Sequence, residues 1–190
     1  MINTKRKIIV GISGASGAIY GIKLLEVLRQ CNIESHLTIT KSGKLSIELE
    51  TDYKFDDVVK LADHYYNNND IAAAISSGSF INEGMIIAPC TVKTLSEIAT
   101  GCTQTLISRA ADVALKDRRK LVLLFRETPL HLGHINSMKT ITEMGAIVMP
   151  PMISFYSKPK TIDEIVFHTV GRVLDLFAID NPLVTRWRGC

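Results

Sequence analysis

Lys7-Ile8-Ile9-Val10-Gly11-Ile12-Ser13 runs directly into Gly14-Ala15-Ser16-Gly17 and then into an amphipathic stretch, and few folds accept that order. It reads as a buried strand, a glycine-rich turn and the start of a helix. Glycines and small hydroxyl residues let backbone N–H groups and a helix N-terminus come close to an anion, so the turn is a candidate seat for a phosphorylated ligand. The plainer alternative is a tight strand-to-helix turn that binds nothing. The spacing Gly11-x-x-Gly14-x-x-Gly17 departs from G-x-G-x-x-G, so a nicotinamide dinucleotide is not specifically indicated.

Strand and helix patterns alternate through the rest of the chain. Strand 7–12 and helix 18–30 form the first unit. Ile33 to Thr40 alternates apolar and polar residues, the period of a half-buried strand. Helical patterns at 44–50 and 55–63 lead to the loop Asn67-Asn68-Asn69-Asp70. Met85-Ile86-Ile87-Ala88 is a continuous apolar run ending at Pro89-Cys90, as in a central strand, with Thr91 or Thr94 placed to cap the next helix. Helices at 93–100 and 104–117, strand 120–125, helix 132–144 and strand 146–149 follow. Thr161-x-x-Glu164 is a capping signal for a last helix at 162–177. The pattern predicts an α/β fold: a three-layer αβα, Rossmann-like, doubly wound and mostly parallel sheet. It is read as one domain over 1–190 with a short C-terminal tail. Ligands of such sheets lie beyond the carboxyl ends of the strands. The turns Gly14 to Gly17, Thr40-Lys41, Ser76 to Ser79, Pro89 to Thr94 and Arg126-Glu127 are therefore expected to face one cleft.

Composition narrows the function classes. A chain of 190 residues with 46% hydrophobic and 22% charged residues can bury a sizeable core. Its net charge of +3 is too small and scattered to argue for nucleic acid. No apolar run is long enough to span a membrane, and Met1 to Lys7 is followed by a strand pattern rather than a secretory core. The reading is cytoplasmic. Cys31, Cys90, Cys102 and Cys190 form no C-x-x-C pair and no zinc spacing, and His131 and His134 lack an evident third ligand. No metal is expected. Cys90 reads as a packed small residue, with a nucleophile as the alternative, and Arg118 and Arg119 read as a solvated face.

Arg126-Glu127 follows an apolar strand at the edge where a charged pair is easily exposed to a ligand. Arg109 and Lys116 stand two helical turns apart, so both can lie on one face toward a common anion. The local alternative is an Arg109–Asp112 pair.

Taken together, Gly11 to Gly21, Glu50-Thr51-Asp52, Ser76 to Ser79, Pro89-Cys90-Thr91-Val92-Lys93-Thr94-Leu95, Arg109 to Lys116, Arg126-Glu127-Thr128-Pro129, Pro150-Pro151 and Phe155-Tyr156 resemble the flavin prenyltransferases of the UbiX type. The resemblance runs from Ile8 to Trp187. It implies transfer of a dimethylallyl group from dimethylallyl phosphate to reduced FMN without a metal, giving the prenylated flavin used by a partner decarboxylase of the ubiquinone pathway type. It implies FMN contacts at Gly14, Ala15, Ser16, Thr40, Thr91, Val92, Lys93, Thr94 and Arg126. The prenyl phosphate would meet Arg109, Lys116, Glu127, Tyr156 and Arg172, with Trp187 helping to close the site. Ser16, Glu50 and Glu127 would carry the proton chemistry. A homo-oligomer, commonly a dodecamer with sites at subunit interfaces, is implied as well. Some members carry a tryptophan before the Ser-Gly-Ser turn, where this chain has Ile71 to Ile75 with three alanines between. The rival readings are a flavin-dependent cysteine decarboxylase, a non-catalytic flavin carrier and direct decarboxylation of an aromatic acid.

Overall fold

β1 (Lys7–Ile12) is the axis of the molecule: Ile8 to Ile12 are all buried, as in a strand with parallel neighbours and helices over both faces. It pairs with β2 (Glu34–Ile39), from Lys7 opposite Glu34 to Ile12 opposite Ile39, and on its other side with β4 (Gly84–Cys90). β3 (His64–Asn67), β5 (Lys120–Phe125) and β6 (Ile147–Val148) complete a six-stranded, all-parallel sheet in the order β3-β2-β1-β4-β5-β6. The computed structural model describes residues 5–187 and 189. The chain moves outward from β1 to β2 and β3 and then crosses back to β4. Strand order therefore reverses between β1 and β4, where the departing loops diverge and open a crevice.

Alternate residues of β1 serve opposite cores, because successive strand side chains point to opposite faces. Ile8, Val10 and Ile12 pack with α1 (Ala18–Gln30) and α7 (Ile162–Leu176), whose Leu25, Leu28 and Leu174 are fully buried. Ile9 faces the other side, with Leu95 of α4 (Val92–Ala99) and Ile107 of α5 (Leu106–Lys116). Each such buried aliphatic side chain contributes about 1.5–3 kcal/mol. α2 (Lys41–Glu50) and α3 (Phe55–Leu61) add Ile47 and Val58 to the first core, and α6 (Leu132–Glu143) adds Ile141 to the second.

Two glycines fix the turn after β1. Gly17, the N-cap of α1, has φ 102°, a left-handed conformation that strains other residues. A Cβ on Gly14 would stand 2.2 Å from Ser42 Cβ, so α2 packs directly on the turn.

The predicted bounds of β1, α1 and β5 match the structure. α7 starts as expected, with the Thr161 side chain accepting a hydrogen bond from the Glu164 N–H at 3.2 Å. α2 begins three residues earlier than predicted because Thr40 caps it. β3 was not expected, and α3 stops at Leu61 to make room for it. β6 is only two residues long. Arg119 departs from its solvated reading: it donates to the carbonyls of Phe80 (2.6 Å) and Gly78 (2.7 Å), tying down the loop before β4. Among the described residues no helix is long and apolar enough to cross a membrane.

Candidate active site

A cleft of about 500 Å³ lies beyond the carboxyl ends of β1 to β4. Gly14 contributes from the turn after β1, Thr40, Lys41 and Ser42 from the start of α2, and Thr91, Lys93 and Thr94 from the start of α4. Tyr65, Asn67, Asn68 and Asn69 close the β3 side.

Two helices begin at this cleft because a threonine caps each. Thr40 Oγ1 accepts from the Gly43 N–H at 2.9 Å. Thr91 Oγ1 accepts from the Thr94 N–H at 3.1 Å and donates to Thr94 Oγ1 at 3.0 Å. The earlier amides of a first turn have no intrahelical acceptor, and the dipole adds partial positive charge there. Lys41 and Lys93 bring full charges, the latter shared with Glu97 at 2.9 Å. This donor set fits a phosphate group.

The N-terminus of α1 is arranged differently. Gly17 offers no capping side chain, and Glu50, the last residue of α2, accepts from the N–H groups of Gly17 (2.7 Å) and Ala18 (3.4 Å). A carboxylate therefore occupies the anion position of α1, and a phosphate there would meet like charge. The turn Gly14 to Gly17 thus differs from the starts of α2 and α4, whose first-turn amides are capped by threonine hydroxyls rather than by a carboxylate. Ser16 is exposed in this turn, while Ala15 is buried.

Two further residues shape the cleft. Ser13 Oγ donates to the Pro89 carbonyl (2.8 Å) and accepts from the Thr91 N–H (2.8 Å), bridging the loops after β1 and β4. Asn68 accepts from the Leu106 N–H through its carbonyl (2.8 Å) and from the Ile107 N–H through Oδ1 (3.0 Å), capping α5 from the β3 loop. Neither role is visible in sequence, since the partners lie 76, 78, 38 and 39 positions away. Cys90 is fully buried, and burial pushes its thiol far above the ordinary value. It stays protonated and acts as packing.

The remaining candidates fall into separate groups. The Arg126 N–H donates to the Cys90 carbonyl at 3.1 Å, which seats Arg126-Glu127 beside the Thr91 turn. The Arg126 side chain is exposed, and Glu127 Oε1 accepts from the Thr128 N–H at 2.9 Å. Arg109 pairs with Asp112 (2.9 Å) and donates to the Ser76 carbonyl, whereas Lys116 pairs with Asp117 (2.9 Å). Both reach the loop before β4, Arg109 at the Ser76 carbonyl and Lys116 beside Gly78, and neither lines the cleft within this chain. The local Arg109–Asp112 pair is the arrangement found. Arg172 pairs with Asp175 (2.9 Å), which Arg186 of the tail also grips with both nitrogens at 3.1 and 2.9 Å. The Arg186 hydrogen bond, foremost, holds the Asp175 carboxyl below its ordinary value. Tyr156 Oη lies 3.3 Å from His168 Nε2, and its ring meets Trp187 edge-on at 5.9 Å. His131 caps α6, its Nδ1 accepting from the Gly133 N–H at 3.0 Å.

Known proteins share this architecture along its length. The model of the Flavoprotein family matches residues 2–174. A flavin prenyltransferase UbiX from Thauera aromatica is 52% identical over 183 residues, 96% of this chain and 94% of the relative. The crystal structure of AnUbiX (PadA1) in complex with FMN and dimethylallyl pyrophosphate superposes with a TM-score of 0.97 at 47% identity, covering 98% of this chain and all of that one. A dodecameric FMN-dependent UbiX-like decarboxylase from Escherichia coli O157:H7 gives 0.94 at 50% identity, covering 96% and 100%. The chain belongs to the Flavoprotein family and, within it, to the flavin prenyltransferases of the UbiX type.

Proposed function

We propose that this protein joins the dimethylallyl group of dimethylallyl phosphate to reduced FMN and releases phosphate. The observation that carries the reading is the cleft at the β1–β4 reversal, where two capped helix N-termini and two lysines present an anion seat. The reduced flavin supplies the nucleophilic nitrogen and carbon. The starts of α2 and α4 hold its phosphate through Thr40, Thr91, Val92, Lys93 and Thr94. Gly14, Ala15 and Arg126 border it, and Ser16 with Glu50 moves the protons that the new C–N and C–C bonds displace.

The allylic C–O bond breaks as phosphate leaves, and the growing charge is met by Arg109, Lys116, Arg172 and the Tyr156 hydroxyl without a metal. Glu127 handles the phosphate proton, and Trp187 shields the allylic carbon. We read the whole chain, 1–190, as one flavin-binding unit. We also infer a homo-oligomer, a dodecamer, whose neighbouring copies bring the prenyl phosphate residues to the cleft. The absence of Arg109 and Lys116 from the cleft lining within one chain supports this, as do the exposed Leu132, Met152 and Phe155 and the dodecameric relative. The product serves a partner decarboxylase of the ubiquinone pathway type in the cytoplasm, a placement in keeping with the unpaired thiols of Cys31, Cys90 and Cys102.

Anaerobic incubation of protein, reduced FMN and dimethylallyl phosphate, followed by mass spectrometry of the flavin, tests the reaction. A flavin heavier by one isoprene unit is expected. Unchanged flavin together with decarboxylation of a cysteine-terminated peptide would replace this reading with the cysteine decarboxylase.

A further inference from the structure

At the edge of the sheet where β2 and β3 begin, opposite the cleft, three side chains meet. Glu34 Oε1 lies 3.0 Å from His36 Nε2 and 3.2 Å from His64 Nε2. His36 and His64 are register partners on adjacent strands, and the three ligand atoms lie within 4.8 Å of one another. Among the described residues this is the one group of three such ligands. None of the three has a part in the cleft or in prenyl transfer.

We propose that Glu34, His36 and His64 form a binding site for a divalent transition metal, zinc by its chemistry, that clamps the edge strand β3 to β2. Two imidazoles and one carboxylate are a zinc-type ligand set, leaving a fourth position for water. Metal-bound histidines usually have a partner on the second ring nitrogen that sets the tautomer, and here Tyr66 Oη lies 3.0 Å from His36 Nδ1. With zinc on Nε2, the imidazole proton sits on Nδ1 and is donated to Tyr66. Phe80 packs edge-on against the His36 ring at 4.7 Å, holding it in place.

Burial steadies two of the ligands, since His36 is buried and Glu34 is only partly exposed. Lys7 Nζ, 3.4 Å from Glu34 Oε1, is the competitor for the carboxylate. Its ammonium also lies 5.4 Å from the Phe80 ring centroid, on a side chain about one-third exposed, so it can withdraw toward ring and water. The two imidazoles are stacked at 4.6 Å and 15° from parallel. Convergence on one ion takes a rotation of His64, whose side chain is half exposed and free to turn. Clamping β3 would steady Tyr65 and Asn67, which line the cleft.

Chelator-stripped protein is dialysed against zinc chloride and then against metal-free buffer, and retained zinc is measured by elemental analysis. Cobalt chloride provides the visible spectrum. One zinc per chain, a four-coordinate cobalt spectrum and a zinc-dependent rise in melting temperature are expected. His64→Ala, at an exposed position that leaves folding intact, and Glu34→Gln lose all three. The double variant His131→Ala/His134→Ala keeps them. Failure of the parent to retain zinc would overturn the proposal. So would retention undiminished in His64→Ala, or loss in the His131/His134 variant alone.

Discussion

Glu50 and Gly17 are 33 positions apart in the chain, yet the carboxylate of one accepts a 2.7 Å hydrogen bond from the backbone of the other. The contact makes the end of α2 the cap of α1, and it sets a carboxylate against the turn that follows β1. Glu50→Ala leaves two amides without that acceptor, so thermal melts should show a loss of about 0.5–2 kcal/mol. Glu50→Gln keeps an acceptor and should recover most of that stability. Its prenylation rate should still fall by about 10²- to 10⁴-fold if the carboxylate moves a flavin proton. Parental turnover in Glu50→Gln would reduce Glu50 to a cap.

A phosphate at the starts of α2 and α4 predicts a specific loss in flavin titrations. Thr40→Ala and Thr91→Ala remove the caps that shape those helix starts, and each should weaken FMN binding about fivefold, or about 1 kcal/mol. Riboflavin, which lacks the phosphate, should bind parent and variants alike. A parallel loss for both ligands would move the phosphate elsewhere.

Lys116→Ala and Arg172→Ala should raise the KM for dimethylallyl phosphate while leaving FMN affinity nearly unchanged. One charged contact to a dianion is worth about 1.5–3 kcal/mol. If Lys116 and Glu127 of one site come from neighbouring copies, mixed oligomers of Lys116→Ala and Glu127→Gln chains, at dimethylallyl phosphate well below the raised KM, should turn over faster than either variant alone. Sites built within one chain would show no such complementation.

Glu127→Gln preserves size and can still accept from the Thr128 amide. As a proton-handling group, Glu127 should lose about 10²- to 10⁴-fold in single-turnover rate on this change, with substrate binding retained. A rate within a few-fold of the parent would leave phosphate departure to the cations and Tyr156.

Asp175 carries a pH dependence of stability. Its carboxyl is held below the ordinary value of 3.8 by Arg186 and Arg172, so it contributes stability above that value and loses it as pH falls through the lowered one. Asp175→Asn should therefore melt earlier than the parent at pH 7. The gap should close progressively in acid below about pH 4. A gap constant with pH would mean that the charge is irrelevant.

Those elements whose signals are local were legible in the sequence. β1 and β5 are apolar runs bounded by turn residues, and α7 announces itself with Thr161 and Glu164. β3 gave no such signal, because His64-Tyr65-Tyr66-Asn67 is an edge strand without apolar alternation and runs into a polar loop. Thr91 reads as a candidate cap because a hydroxyl at a helix start is a short-range pattern, whereas Thr40 is singled out without that role and its helix is expected to start at residue 44 rather than at Lys41. Ser13 and Asn68 depend on partners that only the parallel crossovers bring near. Of the ion pairs, Arg109–Asp112 is the local alternative that the spacing offers, whereas Arg172–Asp175 goes unread because the same cation equally suits an external anion.

The bridge from Ser13 to Pro89 and Thr91 also limits how the protein can move. One hydroxyl fastens the two loops that flank the crevice, and Asn68 fastens a third wall to α5. A cleft pinned at its base cannot breathe by spreading its strands. Admission of a second substrate and release of a bulky modified flavin must then be the work of the exposed segments around it: the Pro129–Leu130 stretch, the exposed Trp187 and, in the proposed oligomer, the seams between copies. Ligand exchange would on these terms be timed by association and peripheral loop motion, and the β1–β4 crevice would serve as the stationary anvil.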